Sequence, residues 1–219
     1  MSGMLTLALE AATSLGSTAI LRDGELLASR EVQMRSGAEE HLLPAIDESL
    51  REAGVSTRDL ARVVCGAGPG SFTSLRVCAS LAKGIAFARD IPLHAVPSLA
   101  LIAADASLAD GAYLAVLDAL RGDVFAAAYL RAGNEVTELS PVRLVPRESL
   151  AKESMILQAK VIGPEERPRL SPRAANIVHL GAWLALPPVS LATWEPDYGR
   201  LAEAQVKWEQ MHGRPLPVS

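Results

Sequence analysis

The sequence predicts an α/β fold in which helices cover a mixed β-sheet, and three observations carry this prediction. Short apolar runs separated by a tight turn open the chain, as in strands that meander. Apolar runs and helical patterns then alternate, which is typical of parallel strands joined by helices. The second half repeats this pattern, because YLAVLDAL is similar to the opening LTLALEAA. The similarity predicts a duplicated fold whose second copy is smaller.

The apolar runs and their punctuation place the elements along the chain. Strands are predicted at 5–9, 17–21, 25–32, 62–65, 92–96, 113–118, 123–130 and 160–162. Helices are predicted at 39–53, after the glycine-rich stretch, after a capping Ser98, near 147–154 and from about 172 to 186.

Turn residues and a proline set the finer boundaries of the first helix and of two hairpins. Asp23-Gly24 predicts a type I′ hairpin turn, which needs positive φ at both central positions, and Arg121-Gly122 predicts a second hairpin. Pro44 is tolerated only in a first helical turn, so the regular helix is expected to begin close to His41.

Composition describes a globular chain that packs with aliphatic side chains. Of 219 residues, 49% are hydrophobic and only 4% aromatic, so the core relies on Leu, Val, Ile and Ala. The net charge is −4 and no basic run is dense enough to follow a phosphate backbone. If nucleic acid matters for function, a partner is expected to supply the positive surface.

The expected compartment and the redox state of the cysteines follow from signals that the sequence lacks. No apolar run reaches the roughly 20 residues that span a bilayer. The opening stretch lacks a basic segment and is interrupted by Glu10, so we expect a cytoplasmic protein without membrane contact. Cys65 and Cys78 form no C-x-x-C pair and are predicted to be buried, reduced thiols.

The stretch GAGPGSFTSLRVCASLAKGIAFA, at 66–88, is the most informative part of the chain. It matches neither a Walker A loop nor a Rossmann fingerprint. Ser71 is no nucleophile elbow, since Pro69 and Thr73 stand where that motif has glycine. A tight strand-to-helix turn capped by Ser71, Thr73 or Ser74 explains the glycines. Weak binding of a phosphate at the helix start stays open as an alternative.

The helix after this loop carries more apolar surface than one sheet needs. Its polar residues fall within an arc of roughly 80° when placed at 100° steps, and they are Thr73, Arg76, Ser80 and Lys83. A helix on a sheet needs an apolar stripe only a little wider than about 100°. Either the second half of the chain or another protein covers the surplus. Small residues at Ala79, Ala82 and Ala86 would let a facing helix approach closely.

Several blocks together resemble the TsaB (YeaZ) family of proteins that act in threonylcarbamoyl modification of adenosine 37 in tRNA. The block GAGPGSFTSLR…AKGIAFA is similar to the family's G-x-GPGSFTGLR…AKGLA, and LDALRGDVFAAAY to its DARRGEVY hairpin. HLLPAIDESLREAG, IPLHAVPSLALIA and PDYGRLAEAQVKWE resemble its first helix, its fifth strand with the next helix, and its tail.

The chain departs from the family pattern at a few positions. Glu10-Ala11-Ala12 stand where the family has Asp-Thr-Ala or Asp-Thr-Ser, the phosphate-facing turn of its superfold. Ser74 replaces a glycine, Leu120 an arginine and Gly199 a leucine.

The resemblance implies a fold of two actin-like (ribonuclease H-like) lobes, the second of them reduced, with a boundary between 1–106 and 107–219. It implies no catalytic centre and no cofactor, with weak nucleotide binding at a partner interface left open. The turns that would retain a phosphate contact are Glu10, Ala11, Ala12, Gly68, Gly70 and Ser71.

The resemblance also implies partners. It implies a heterodimer with a TsaD-like catalytic subunit through the first two helices, a TsaE-like ATPase as third partner, and tRNA contact mainly through the complex. The expected interface residues are Leu42, Leu43, Ile46, Leu50, Leu75, Cys78, Ala79, Ala82, Lys83, Ile85 and Ala86. Without its partner the same surface is expected to form homodimers.

Two enzymatic functions are alternatives to the function as a subunit. One is an independent nucleotide-dependent phosphotransferase or hydrolase of the actin-like superfold, which would depend on Glu10 or the turn at 68–71. The other is a metallopeptidase, for which the histidines offer no H-E-x-x-H pair. The four histidines are scattered along the sequence, and each is expected to be a surface or capping residue: His41, His94, His179 and His212.

Overall fold

The structure is a computed structural model that describes residues 3–34, 41–199 and 211–212. Its first sheet has the strand order β3-β2-β1-β4-β5. These strands are β1 (Leu5–Glu10), β2 (Leu15–Arg22), β3 (Glu25–Gln33), β4 (Leu60–Gly66) and β5 (Leu93–Val96). β1 runs antiparallel to β2 and parallel to β4, so the sheet is mixed as predicted.

A second sheet repeats this arrangement. Its strands are β6 (Gly111–Asp118), β7 (Asp123–Ala132), β8 (Glu135–Pro146) and β9 (Lys160–Ile162), in the order β8-β7-β6-β9. β6 is antiparallel to β7 and parallel to β9, just as β1 is to β2 and β4. The repeat confirms the predicted α/β fold with a smaller second copy, since the described part of this sheet has no counterpart of β5.

Helices cover both faces of the first sheet because its strands alternate their side chains. The α-helices are α1 (Leu42–Glu52), α2 (Phe72–Arg89), α3 (Ser98–Ala103), α4 (Leu150–Leu157) and α5 (Gly181–Leu184). Leu5, Leu7 and Leu9 pack with α1 and α2, whereas Ala8 packs with α3 on the opposite face. The first sheet is therefore buried on both sides.

The layer opposite α1 and α2 joins the two sheets. Every residue of α3 is buried, and the helix packs with side chains from both sheets. A 3-10 segment, Ala174–His179, returns to the first sheet: the Ala174 amide donates to Ser17 Oγ at 2.9 Å and Asn176 Nδ2 to the Leu101 carbonyl at 2.8 Å. Residues after 170 thus contact the first sheet, and the division into 1–106 and 107–219 stays a prediction.

Local signals in the sequence predicted the turns correctly. Asp23 and Gly24 have φ of 52° and 88°, as a type I′ hairpin requires. The second hairpin turns at the predicted Arg121 and Gly122, with φ of 59° and 86°, and the Asp123 amide closes the turn by donating to the Leu120 carbonyl at 3.2 Å. α1 begins at Leu42 with His41 at its N-cap, so Pro44 lies in the first turn. Positions 39–40 of the predicted helix lie outside the described residues.

One prediction about the second half is wrong, and one strand was not predicted. That strand is β8, which tolerates Pro141 because β8 is the sheet edge and its pairing is irregular there. The predicted helix at 172–186 is instead the 3-10 segment followed by the short α5. The apolar residues of this segment are buried between the first sheet and the helices, and their spacing resembles the periodicity of a helix.

Both cysteines are buried thiols that form no disulfide, which confirms the prediction, and their Sγ atoms lie 3.7 Å apart. In the described part of the chain, no helix combines the length and apolar character needed to cross a membrane.

Two buried tyrosines on neighbouring strands offer a test of the core. Tyr113 donates its hydroxyl to the Ala109 carbonyl at 2.8 Å, whereas the buried hydroxyl of Tyr129 has no partner among the described residues. We expect Tyr113→Phe to lower the free energy of unfolding by about 1 kcal/mol, the usual value of one hydrogen bond. Tyr129→Phe should leave stability unchanged or raise it, because it deletes an unpaired polar group.

Urea denaturation of the two variants and the parent measures this difference. The Tyr113 variant is the matched control, since both substitutions remove one hydroxyl from paired strand positions. A loss of about 1 kcal/mol or more in Tyr129→Phe would contradict the structure, because it would require a bonded hydroxyl.

Candidate functional site

The glycine-rich loop and the turn after β1 are bonded directly to one another. The Ser71 amide, at the start of α2, donates to the Ala12 carbonyl at 2.7 Å. A Cβ on Gly70 would lie 2.1 Å from the same carbonyl oxygen, so only glycine allows this approach. Ser71 holds the N-cap position but its side chain makes no capping hydrogen bond. The β1–β2 turn and the glycine-rich loop therefore close against each other.

Glu10 is an internal link rather than a group that faces solvent. It is fully buried, and its carboxylate accepts hydrogen bonds from the Ala12 amide and from Ser98 Oγ. A Cβ on Gly66 would lie 1.8 Å from Glu10 Oε2, so the glycine at the end of β4 makes room for this carboxyl. Burial raises the pKa of Glu10 to about 7, against the opposing effect of its hydrogen bonds.

Ser98 has a different role from the predicted one. It is the first residue of α3, with Pro97 at the N-cap, and its hydroxyl does not cap the helix. It donates to Glu10 Oε2 at 2.8 Å and accepts from the Gly68 amide at 3.1 Å. The predicted cap is thus wrong, because the hydroxyl joins β1, the glycine loop and α3.

The six predicted phosphate-facing residues are divided by the structure. Ala12, Gly70 and Ser71 line a cleft between the two sheets. Glu10 and Ala11 are buried beneath it and line no part of that cleft. Gly68 is covered by the chain itself, since a Cβ there would lie 2.2 Å from the Asp197 carbonyl oxygen. The prediction is corrected for these three, because a buried atom offers no contact to a phosphate.

The cleft itself has a volume of about 890 Å³ and two unlike walls. One wall is the β1–β2 turn with the start of α2. The other carries Arg147, which pairs with Glu165 at 2.7 Å, with Glu166 at 3.1 Å and with Asp118 at 3.8 Å. Carboxylates repel a phosphate and already occupy the arginine. Nucleotide binding in this region stays a prediction.

The histidines are not grouped with other metal-binding side chains. Within residues 3–34, 41–199 and 211–212, no three His, Cys, Asp or Glu side chains lie together as a metal site would require. His94 is buried, contrary to the surface position expected for it, while His212 is exposed. Burial is the first cause that lowers the pKa of His94 and of His179.

The polar arc of α2 is confirmed. Thr73, Arg76 and Ser80 are exposed, and Lys83 is half-buried with its Nζ 5.8 Å from the Trp194 ring centroid. The helix therefore presents the predicted side to solvent.

Most residues predicted at the partner interface lie instead in the chain's own core. A residue contributes to binding by losing exposed surface, and these have at most 5% left to lose. The buried members are Leu42, Ile46, Leu50, Leu75, Cys78, Ala79, Ala82 and Ala86. Leu43, Lys83 and Ile85 reach the surface. The residue list is corrected to these three, and the interface itself stays a prediction.

The C-terminal part of the chain covers one flank of α2. The Val189 amide donates to the Leu93 carbonyl at 2.8 Å, and Trp194 reaches Lys83. Tyr198 packs on Phe72 with ring centroids 4.6 Å apart. Part of the apolar surplus assigned to a second lobe or a partner is thus covered by residues 189–198.

A different row of residues on α2 remains uncovered. Ser80, Gly84 and Ala88 are exposed at four-residue spacing, which places them along one line of the helix. A Cβ on Gly84 would meet no atom of the described residues within 4 Å. Phe87, beside them, is 79% exposed. We call these four residues the α2 ridge. The spacing was visible in the sequence, but it was hidden among the alanines that are buried.

Comparison with known proteins finds one family model and several relatives. Residues 35–171 match the model of TsaD, tRNA N6-adenosine threonylcarbamoyltransferase. The chain is 27% identical to the tRNA threonylcarbamoyladenosine biosynthesis protein TsaB of Bacillus subtilis, over 94% of this chain and 98% of the relative. It is 32% identical to Escherichia coli TsaB, over 69% of this chain and 66% of the relative.

Solved structures share the fold. YeaZ from Pseudomonas aeruginosa has a TM-score of 0.76 and 27% identity, over 89% of this chain and 99% of that one. A second structure is described as an uncharacterized protein with similarity to the peptidase YeaZ from the same species. It has a TM-score of 0.77 and 28% identity, over 90% of this chain and all of that one.

The buried carboxyl of Glu10 predicts a pH-dependent stability. Its pKa rises from 4.5 to about 7 on folding, so the folded state holds the proton more tightly. Stability from this group is present below pH 4.5 and is lost as pH rises through about 7. Glu10→Gln mimics the protonated form and should remove this loss, which corresponds to about 3 kcal/mol because one pKa unit is about 1.4 kcal/mol.

The measurement is the free energy of unfolding of Glu10→Gln and the parent between about pH 4 and about pH 8. We expect the difference to shift in favour of the variant as pH rises. Glu25→Gln, which deletes an exposed carboxyl on the neighbouring hairpin, serves as the control. A constant difference between Glu10→Gln and the parent would show that this carboxyl does not prefer its proton in the fold.

Proposed function

The chain belongs to the TsaB (YeaZ) branch of the TsaD family, and on that premise we propose that it is a non-catalytic subunit that binds and activates a TsaD-like protein. The two would act together in forming N6-threonylcarbamoyladenosine at position 37 of tRNA. What supports the family role is the match over 94% of the chain to a protein of threonylcarbamoyladenosine biosynthesis. What supports a binding role is the surface of α2.

The observation that carries the proposal is the α2 ridge. Gly84 costs an exposed helix about 1 kcal/mol relative to alanine. No contact among the described residues requires glycine at this position, because a Cβ there would meet none of their atoms within 4 Å. Together with Ser80 and Ala88 it forms a smooth line along the helix. Such a line lets the backbone of a second helix approach closely.

An aromatic anchor accompanies this line. Phe87 exposes 79% of its surface, which is costly for a large apolar side chain in water. Exposed aromatic residues that enter a partner's pocket often dominate the energy of an interface. Ile85, half-buried on the same helix, extends the apolar area. The ridge thus combines close approach with one side chain that a partner would bury.

Charged residues of α1 provide the polar surroundings that interfaces usually have. Arg30 pairs with Glu48 at 3.2 Å and with Glu52 at 2.8 Å, and Asp47 pairs with Arg51. Only Leu43 and Pro44 interrupt this charged outer side of α1. We therefore place α1 at the rim of the proposed contact and α2 at its centre.

The wider assembly belongs to the same proposal. A TsaE-like ATPase would be the third partner, and tRNA would bind mainly through the complex, since this chain carries a net charge of −4. In the absence of the TsaD-like subunit we expect two copies to associate through the α2 ridge. The cytoplasm, where tRNA is modified, is the proposed compartment.

An independent nucleotide-dependent phosphotransferase or hydrolase is the alternative, and the cleft of about 890 Å³ favours it. The start of the 18-residue α2 opens onto that cleft, and helix starts attract phosphates. Calorimetry of the isolated chain with ATP and Mg²⁺ separates the two functions. Saturable binding with turnover of the nucleotide would support the enzymatic function. Heats equal to those of dilution would exclude it.

A charge placed on the α2 ridge tests the subunit function. Gly84→Glu should leave the fold intact, because a side chain there points into open space. It should weaken binding to the TsaD homologue from the same cell by about 100-fold or more, since an unpaired charge buried in an interface costs about 3 kcal/mol or more. Calorimetry or surface plasmon resonance with the purified homologue measures the affinity.

Ala151→Glu is the matched control, because Ala151 is an exposed alanine on α4, against the second sheet. It adds the same charge outside the ridge and should bind as the parent does. If Gly84→Glu binds as tightly as Ala151→Glu, the ridge is not the contact surface. If the parent does not bind the homologue at all, the proposed function is wrong.

A further inference from the structure

A second cavity lies on the face of the first sheet opposite α1 and α2. It has a volume of about 490 Å³ and is bounded by β1, β2 and β4 on one side and by the 3-10 segment with α5 on the other. Leu21, Ile177 and Leu184 make much of its wall apolar. This cavity shares no residue with the cleft between the sheets.

Arg62 supplies a cation to this cavity. Its Nε donates to Thr6 Oγ1 at 2.8 Å, which fixes the guanidinium against the neighbouring strand. Within the part of the chain that the structure describes, the guanidinium has no other hydrogen bond and no carboxylate within 4.0 Å. Burial is the cause that lowers the pKa of Arg62. The cavity therefore contains a partly desolvated positive charge without a counter-ion.

A buried histidine lies beside this cation. His94 follows on β5, and the strand register places it on the same face as Arg62, because Val64 pairs with His94 and lies two residues beyond Arg62. Its imidazole lies near the backbone of Leu186, which follows the cavity-lining residues Leu184 and Ala185. Nδ1 of His94 is buried and, among the described residues, has no partner. Burial and the charge of Arg62 lower the pKa of this imidazole.

Asp23 is the carboxylate on the cavity wall. Its Oδ1 accepts the Met4 amide at 2.8 Å, which holds it at the β2–β3 turn, more than 4.0 Å from the nitrogens of Arg62. It therefore does not neutralise the guanidinium. It opposes any anion that enters, by a modest amount because it is solvent-exposed.

We propose that this cavity binds a small organic carboxylate with an aliphatic or aromatic body, with its carboxylate paired to Arg62. A guanidinium held by one nitrogen still offers two parallel N–H groups, the geometry that a carboxylate accepts. The apolar wall fits the body of such a molecule, and the volume is within the range of small-ligand sites. The site is independent of the α2 ridge.

Titration with hexanoate and 3-phenylpropanoate tests the proposal, with the corresponding neutral amides as paired probes. Backbone and His94 side-chain resonances of the full chain report binding by NMR. We expect saturable shifts at Arg62 and His94 with the carboxylates, and affinity at least about 10-fold lower for the amides. Equal affinity for carboxylate and amide, or no saturable shift with either carboxylate, would overturn the proposal.

Four variants locate the binding. Arg62→Gln should reduce carboxylate affinity to the level of the amide, whereas Arg58→Gln, which removes one charge outside the cavity, should not. Gly181→Leu should weaken binding of both kinds of probe, because Gly181 lines the cavity and a Cβ there meets no described atom within 4 Å that would prevent a larger side chain. Asp23→Asn should tighten carboxylate binding by removing the opposing charge. Unchanged affinity in both Arg62→Gln and Gly181→Leu would place the binding elsewhere and overturn the proposal.

Discussion

The buried carboxyl of Glu10 is the constraint on which the arrangement of this molecule depends. It joins the end of β1 to the first residue of α3 through Ser98, and it occupies the space that Gly66 leaves at the end of β4. The Ser98 hydroxyl extends the link to the Gly68 amide. Burying a carboxyl is costly unless it is protonated or well bonded, and this one satisfies both conditions in part. β1, β4 and α3 meet around it, and Ala12, whose amide it binds, accepts the Ser71 amide at the start of α2. The position of the glycine-rich loop against the β1–β2 turn therefore depends on this junction.

The first sheet separates two kinds of surface because its strands alternate side chains between faces. One face buries leucines beneath α1 and α2 and leaves the α2 ridge outside. The other face packs α3 and the 3-10 segment, and on this face Thr6 and Arg62 border a cavity. A protein-binding surface and a small-molecule site can therefore exist on one sheet without sharing a residue. Carboxylate binding and subunit binding are therefore independent, and a failed test of one leaves the other unaffected.

Local chemistry predicted a large part of the fold. Asp23-Gly24 turned as expected because few residue pairs accept positive φ at two adjacent positions. The polar arc of α2 was predicted from spacing alone. The same reasoning missed β8, because a sequence that contains proline is more typical of a loop than of a strand. It also predicted a helix at 172–186, where apolar residues are spaced for burial between layers. In the candidate site, Ala12, Gly70 and Ser71 line the cleft, but Glu10, Ala11 and Gly68 do not.

The sequence by itself determined the order of the strands and α-helices as far as β7, the two hairpins, the polar side of α2 and the family. These depend on short-range steric and solvation preferences, which neighbouring residues carry. Only the tertiary structure decided which apolar residues stay exposed. Residues 189–198 return about a hundred positions along the chain to cover one flank of α2, and the spacing of α2 contains no trace of that contact. Which of its small residues pack inward and which form the ridge depends on that long-range burial.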